Sequence, residues 1–137
     1  MSQERYPVLW IGQVAVVTLP EEIDVTNADL VREELLSVMN QGAALLVADM
    51  SKTNFCDSAG VRALVRTFRR TSGGACAMRL VVSTPAVQRV LSITGVDRLV
   101  DIFPSVAASL AGQVEPGQVE PDTSTATADA DGGAQSR

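Results

Sequence analysis

Six residues near the middle of the chain, Phe55-Cys56-Asp57-Ser58-Ala59-Gly60, carry the side chains best suited to chemistry. They follow an apolar run at 43–49 and open a helix-type pattern. A serine at such a junction stands at or near a helix N-terminus, where free N–H groups and the positive dipole end point outward. The plain expectation for Ser58 is an N-cap, because Ser and Asp are the preferred caps. A capping hydroxyl is also exposed, so the same residue can accept a phosphoryl group. A phosphate there meets N–H donors and a favourable dipole and is expected to leave the fold intact. It would add roughly −1.5 to −2 charges at pH 7 beside Asp57.

Other chemistries find less support. The chain has no histidine, so the usual general base and most zinc sites are missing. No base stands beside Ser58 to make it a nucleophile, and no Gly-rich loop ends in Gly-Lys-Ser/Thr. No catalytic residue, metal or cofactor is expected. Asp49 ends the central strand, as the acceptor of a two-component receiver would. A receiver also needs an acid pair after its first strand and a lysine after a later one. The single lysine here is Lys52, directly after Asp49, and the reading fails on that count. Cys56 and Cys76 fall at opposite ends of neighbouring parallel strands. A helix of roughly 14 residues, about 20 Å long, separates those ends. A disulfide needs Cα atoms closer than about 7 Å, so no internal bridge is expected.

The elements that position these residues follow from apolar spacing. Residues 7–10 and 14–19 are short apolar runs around Gly12-Gln13 and read as a hairpin. Glu22 and Asp24 lie in the loop that follows. Thr26 is the expected N-cap of a first helix, whose stripe is Ala28, Val31, Leu35 and Val38 and whose stop is Gly42. The run 43–49 lacks alternation, as a strand buried on both faces does. A second helix starts near Ser58, with Val61, Leu64, Val65 and Phe68 inward, Arg62, Arg66, Arg69 and Arg70 outward, and Gly73-Gly74 at its end. A third strand at 77–83 leads to Thr84-Pro85, a cap followed by proline at the first helical position. That helix ends at Gly95. A short strand at 99–103 and a helix from Pro104 through Leu110 complete the pattern. Strands alternating with helices imply α/β architecture with a largely parallel sheet of four or five strands and about four helices.

Composition bounds the function classes. The chain has 137 residues, enough for one core, with 46% hydrophobic and 4% aromatic residues. A nucleic-acid surface would want basic patches interleaved with aromatics, so no direct nucleic-acid contact is expected. No run approaches the roughly 18 apolar residues of a membrane span. The N-terminus lacks a signal pattern. These features suit a cytoplasmic protein that does not engage a membrane. The net charge of −5 is uneven: residues up to 112 carry −1 and the remainder −4. Residues 112–121 repeat Gly-Gln-Val-Glu-Pro, and the composition beyond has little to bury. A domain over 1–112 and a disordered acidic tail over 113–137 are therefore expected.

Several segments together resemble a STAS domain, the family of bacterial anti-sigma-factor antagonists and of the cytosolic ends of sulphate transporters. Leu19-Pro20-Glu21-Glu22-Ile23-Asp24, followed by Asn27-Ala28, is similar to the family's Gly-Glu-Ile/Leu-Asp signature. Val47 to Ser51 resembles its strand end, and Phe55 to Gly60 resembles its Asp-Ser-Ser/Ala-Gly loop. Gly95 and Ile102-Phe103 fall where the family has a Gly and an Ile-Phe pair. The likeness covers about residues 8–112. It implies a STAS fold and a protein that binds an anti-sigma factor. That partner is itself a serine kinase of histidine-kinase-like fold. Ser58 would be its phosphoacceptor, modification would release the complex, and a serine phosphatase would restore it. Asp57 and Ala59 flank the acceptor, and Gly60 allows close backbone approach. Asn54, Glu22, Asp24 and Arg62 are the further candidate partner contacts. Glu21 departs from the family's Gly, and Ala59 from its second Ser. The alternative is a STAS module that is never phosphorylated and serves as a scaffold or small-ligand sensor.

Overall fold

A computed structural model describes residues 6–111. The repeat and acidic segment expected as a tail lie outside the described residues. Strand β1 (Val8–Ile11) pairs antiparallel with β2 (Val14–Thr18), and Gly12 takes φ +59° in the turn between them. Helix α1 (Ala28–Asn40) leads to β4 (Leu45–Met50), and α2 (Ser58–Ser72) to β6 (Ala77–Val82). Helix α3 (Pro85–Thr94) and a 3-10 turn at Val96–Arg98 precede β7 (Asp101–Phe103) and α4 (Val106–Leu110). The sheet order is β1-β2-β4-β6-β7, with β2, β4, β6 and β7 parallel. The four helices and five-stranded mixed sheet match the α/β expectation.

Burial explains the order. All six residues of β4 are buried, which suits the central strand of a sheet covered on both faces. On one face Ala15, Val17, Leu46, Ala48 and Leu80 meet Val31 and Leu35 of α1, Leu64 of α2, and Val87 and Leu91 of α3. On the other, Val16, Leu45, Val47 and Val81 lie under Val106 and Leu110 of α4. Arg79 crosses this thinner layer: its guanidinium donates to the Ser109 carbonyl at 2.6 Å and stacks 5.3 Å from the Phe103 ring centroid.

Several boundaries differ from the sequence reading, the last helix among them, since Ser105 caps it and it starts at Val106 and not at Pro104. Asn27, not Thr26, precedes α1, because Thr26 turns back to bond the Asp24 carboxylate. The last strand begins at Asp101, since the 3-10 turn carries the chain through Leu99. A second, two-stranded ladder was not anticipated: β3 (Glu22–Ile23) pairs parallel with β5 (Phe55–Cys56). Two-residue strands carry no periodicity to read.

Leu64 is fully buried where α2 meets the sheet. Leu64→Ala is expected to cost about 3 kcal/mol of stability, through lost transfer energy plus a cavity. Urea unfolding should show a lowered midpoint with an unchanged slope.

Candidate functional site

The carboxyl ends of β2 and β4 open into two loops that are stitched together. Thr53 is fully buried, and its hydroxyl donates to the Pro20 carbonyl at 2.7 Å. The Asn54 N–H donates to the Glu21 carbonyl at 2.8 Å. Glu22 then lies opposite Phe55 and Ile23 opposite Cys56, and the Asp57 N–H donates to the Ile23 carbonyl at 3.1 Å. From the other side Thr84 donates its hydroxyl to the Thr53 carbonyl at 2.8 Å, and Ser83 to that of Ser51 at 3.0 Å. Buried backbone groups are satisfied at each step, so the loops hold one shape. Glu22 and Asp24 therefore share a rim with Ser58, and Glu22 sits in a short strand rather than a loop.

The 22–27 segment is braced from within. Asn27 accepts from the Asp24 N–H at 3.0 Å and donates to the Glu22 carbonyl at 2.8 Å. The Asp24 carboxylate accepts from the Thr26 hydroxyl and, at 2.9 Å, from the Thr26 N–H. Those bonds, the hydroxyl's first, hold its pKa below the ordinary 3.8.

Asp57, with extended φ and ψ, is the true N-cap of α2. Its Oδ1 accepts from the Ala59 N–H at 2.9 Å and the Gly60 N–H at 3.0 Å. Ser58 is consequently the first helical residue and not the cap. It is exposed, while Asp57 and Ala59 are half-buried. The donors expected to meet a phosphate on Ser58 are thus already engaged by Asp57. Asn54 and Arg62 are exposed on the same side of the molecule's loop–helix junction.

Gly60 is buried, and the close approach it permits is internal. A Cβ there would lie 2.7 Å from Cys56 Sγ and 2.8 Å from Ile23 Cγ2, well inside contact distance. Only glycine lets the first turn of α2 rest on the β3–β5 ladder. The Cys56 thiol beneath it is pushed from the ordinary 9.0 up to about 11, first by burial and then by the Asp57 charge. Burial also raises the Cys76 thiol, and both cysteines are free.

Two features escaped sequence reasoning. Val25 (77% exposed) and Phe55 (49% exposed) stand on either side of the stitched loops as solvent-facing apolar groups. Of the residues that lock those loops, Thr53 gave no signal and Thr84 only that of the cap of α3, since their hydroxyls bond backbone carbonyls of distant segments. Arg62, Arg66, Arg69 and Arg70 are all exposed, as the helical spacing predicted, and none pairs with a carboxylate among the described residues. The described residues hold no cluster of side chains suited to a metal ion, and no helix among them is long and apolar enough to cross a membrane.

The sequence pattern of the STAS domain family matches residues 7–109, and the chain belongs to that family. It is 30% identical over 86 residues to the anti-sigma-B factor antagonist of Bacillus subtilis, covering 63% of this chain and 78% of that one. The structure superposes on an anti-sigma factor antagonist from Mycobacterium paratuberculosis with a TM-score of 0.72 and 26% identity, covering 78% of this chain and 91% of that one. The unphosphorylated anti-sigma factor antagonist SpoIIAA shares the fold, with a TM-score of 0.66 at 19% identity over 79% of this chain and 96% of that one.

Two expectations follow. Gly60→Ala should destabilise the chain by about 1–3 kcal/mol through overpacking, and adding Cys56→Ala should recover part of that loss in denaturant unfolding. The Cys56 thiol deprotonates later folded than unfolded, so the unfolded state loses its proton first as pH rises. Stability from this group is therefore intact at neutral pH and falls between pH 9.0 and about 11. A pH series of thermal melts on the parent and Cys56→Ala checks this, the decline being smaller in the variant.

Proposed function

We propose that the chain is an anti-sigma factor antagonist whose docking surface is the rim formed by the 22–27 segment and the 53–58 loop, switched by phosphorylation of Ser58. The observation that carries the reading is the placement of Ser58: exposed at the first position of α2, directly after a loop that is bonded to the 21–23 segment, with the helix capped by its neighbour Asp57. The names borne by relatives of this family supply the partner class. That partner is an anti-sigma factor with a histidine-kinase-like, ATP-using fold, and a serine phosphatase reverses its action. Binding sequesters the anti-sigma factor and frees a sigma factor in the cytoplasm.

The chain supplies an acceptor and no catalytic group. In the transfer, the Ser58 Oγ–P bond forms as the γ-phosphorus bond to the ADP oxygen breaks. The hydroxyl proton passes to a base of the kinase. Asp57 keeps its bonds to the Ala59 and Gly60 amides throughout.

Magnitudes favour an interface switch over unfolding. Covering the rim desolvates the exposed Ser58 side chain. Desolvating a hydroxyl costs about 1–3 kcal/mol, whereas an ion costs several. A difference of about 3 kcal/mol is roughly a hundredfold in affinity. Disturbing one cap costs only about 1 kcal/mol, against a typical domain stability of about 5–15 kcal/mol.

The scaffold or ligand-sensor reading draws less support. Two concavities among the described residues, one beside Phe68 and Leu99 and one beside Gln13 and Arg70, both reach Cys76 at the amino end of β6. They stand away from the Ser58 rim and are not conspicuously apolar.

Capture of partners by tagged Ser58→Ala and Ser58→Glu chains tests the proposal. The alanine form should retain a histidine-kinase-fold protein and the glutamate form should lose it. Equal capture by both removes the switch.

A further inference from the structure

We infer that Arg62 is a built-in counter-ion for a phosphoryl group on Ser58, folding back one helical turn to hold it. This rests on the reading of Ser58 as the acceptor. It is a separate claim, because the pairing depends only on a phosphate being at that position.

The need for such a group comes from the cap. Asp57 Oδ1 already takes the Ala59 and Gly60 N–H groups, and the Val61 N–H bonds the Asp57 carbonyl. A phosphate on Ser58 therefore finds most of the first-turn donors occupied and a carboxylate next door. The neighbouring rim adds Glu21, Glu22 and Asp24, and the turn after β4 adds Lys52. With the cap acid next in sequence and three more acids in the segment bonded to this loop, a phosphate gains from a cation on its own helix.

Arg62 has the placement. Residues four apart on a helix are surface neighbours, with Cβ atoms about 5–6 Å apart. Helical side chains lean toward the N-terminus, so Arg62 covers the turn that presents Ser58. An acid one turn N-terminal to a base is the favoured order of such a pair. Both residues are exposed, and Arg62 has no carboxylate partner among the described residues. The other α2 arginines do not reach: Arg66 lies about 80° round and two turns on, and Arg69 about 16 Å along the axis. The guanidinium fork also suits phosphate oxygens.

Modification would then alter two groups of the docking face, adding a phosphate and withdrawing a free arginine from the partner. An electrostatic pair of this kind favours the dianion, so it lowers the second pKa of the phosphate.

The test uses the full chain with phosphoserine inserted at position 58 during translation, so no cognate kinase is needed. Phosphorus NMR follows the titration of the phosphate in the parent, Arg62→Gln, Arg62→Lys and Arg66→Gln. Arg62→Gln should raise the second pKa by about half a unit, a threefold change in proton affinity. Arg62→Lys should keep most of the parent value, and Arg66→Gln should leave it unchanged. Amide spectra of the same samples establish that each variant is folded. Coincident titrations of the parent and Arg62→Gln, or an equal shift from Arg66→Gln, overturn the pairing. Indifference of the partner to Ser58 substitution would instead count against the switch while leaving a measured Arg62 shift standing.

Discussion

The contact on which the site depends is the seating of the first turn of α2 upon the β3–β5 ladder at Gly60. There is no room for a side chain between the helix backbone, Cys56 Sγ and Ile23. Because the helix sits this low, Asp57 can cap it, the Asp57 N–H can reach the Ile23 carbonyl, and Ser58 emerges at the surface. A helix held further out would break the bond from Asp57 to Ile23 and detach the 53–58 loop from the 22–27 segment. One missing methyl thus sets the geometry of the whole rim.

Around that contact the site is assembled by backbone rather than by ion pairs. Thr53, Thr84 and Ser83 direct hydroxyls to carbonyls of other loops, and Asn27 closes the 22–27 turn on itself. Among charged side chains only the Asp24 and Asp57 carboxylates take part, each accepting from its own segment, while Glu22 and Arg62 face solvent. This division suits the proposed switch by charge, because most of the bonds that hold the rim involve no charged group. The same division separates the cap, Asp57, from the proposed acceptor, Ser58. Had Ser58 been the cap, modification would have removed the bond that starts the helix.

The two sheet faces are unequally covered. Three helices and the larger core cluster lie on one side, while α4, five residues long, shields the other with Val106 and Leu110. The more heavily packed side is the one that carries α2 and therefore Ser58. Arg79 spans the thin side, with its charge half-buried and its pKa held below the ordinary guanidinium value by burial. Its bond to Ser109 ties α4 to the sheet.

By itself the sequence determined the architecture: the unalternating run at 43–49, which the fold places as Leu45–Met50, the hairpin around Gly12 and the apolar stripes at spacings of three and four are local patterns that the fold repeats. It also marked Ser58 as the candidate acceptor, by its place between a buried strand and a helix. Tertiary structure alone decided who caps α2, which donors a phosphate would find occupied, and that Gly60 faces inward. It also decided that Val25 and Phe55 are exposed on the rim of Glu22 and Asp24. The reason is physical: strand and helix periods are written within one segment. A two-residue ladder and a threonine bonded to a carbonyl 33 positions away exist only once two distant segments have met.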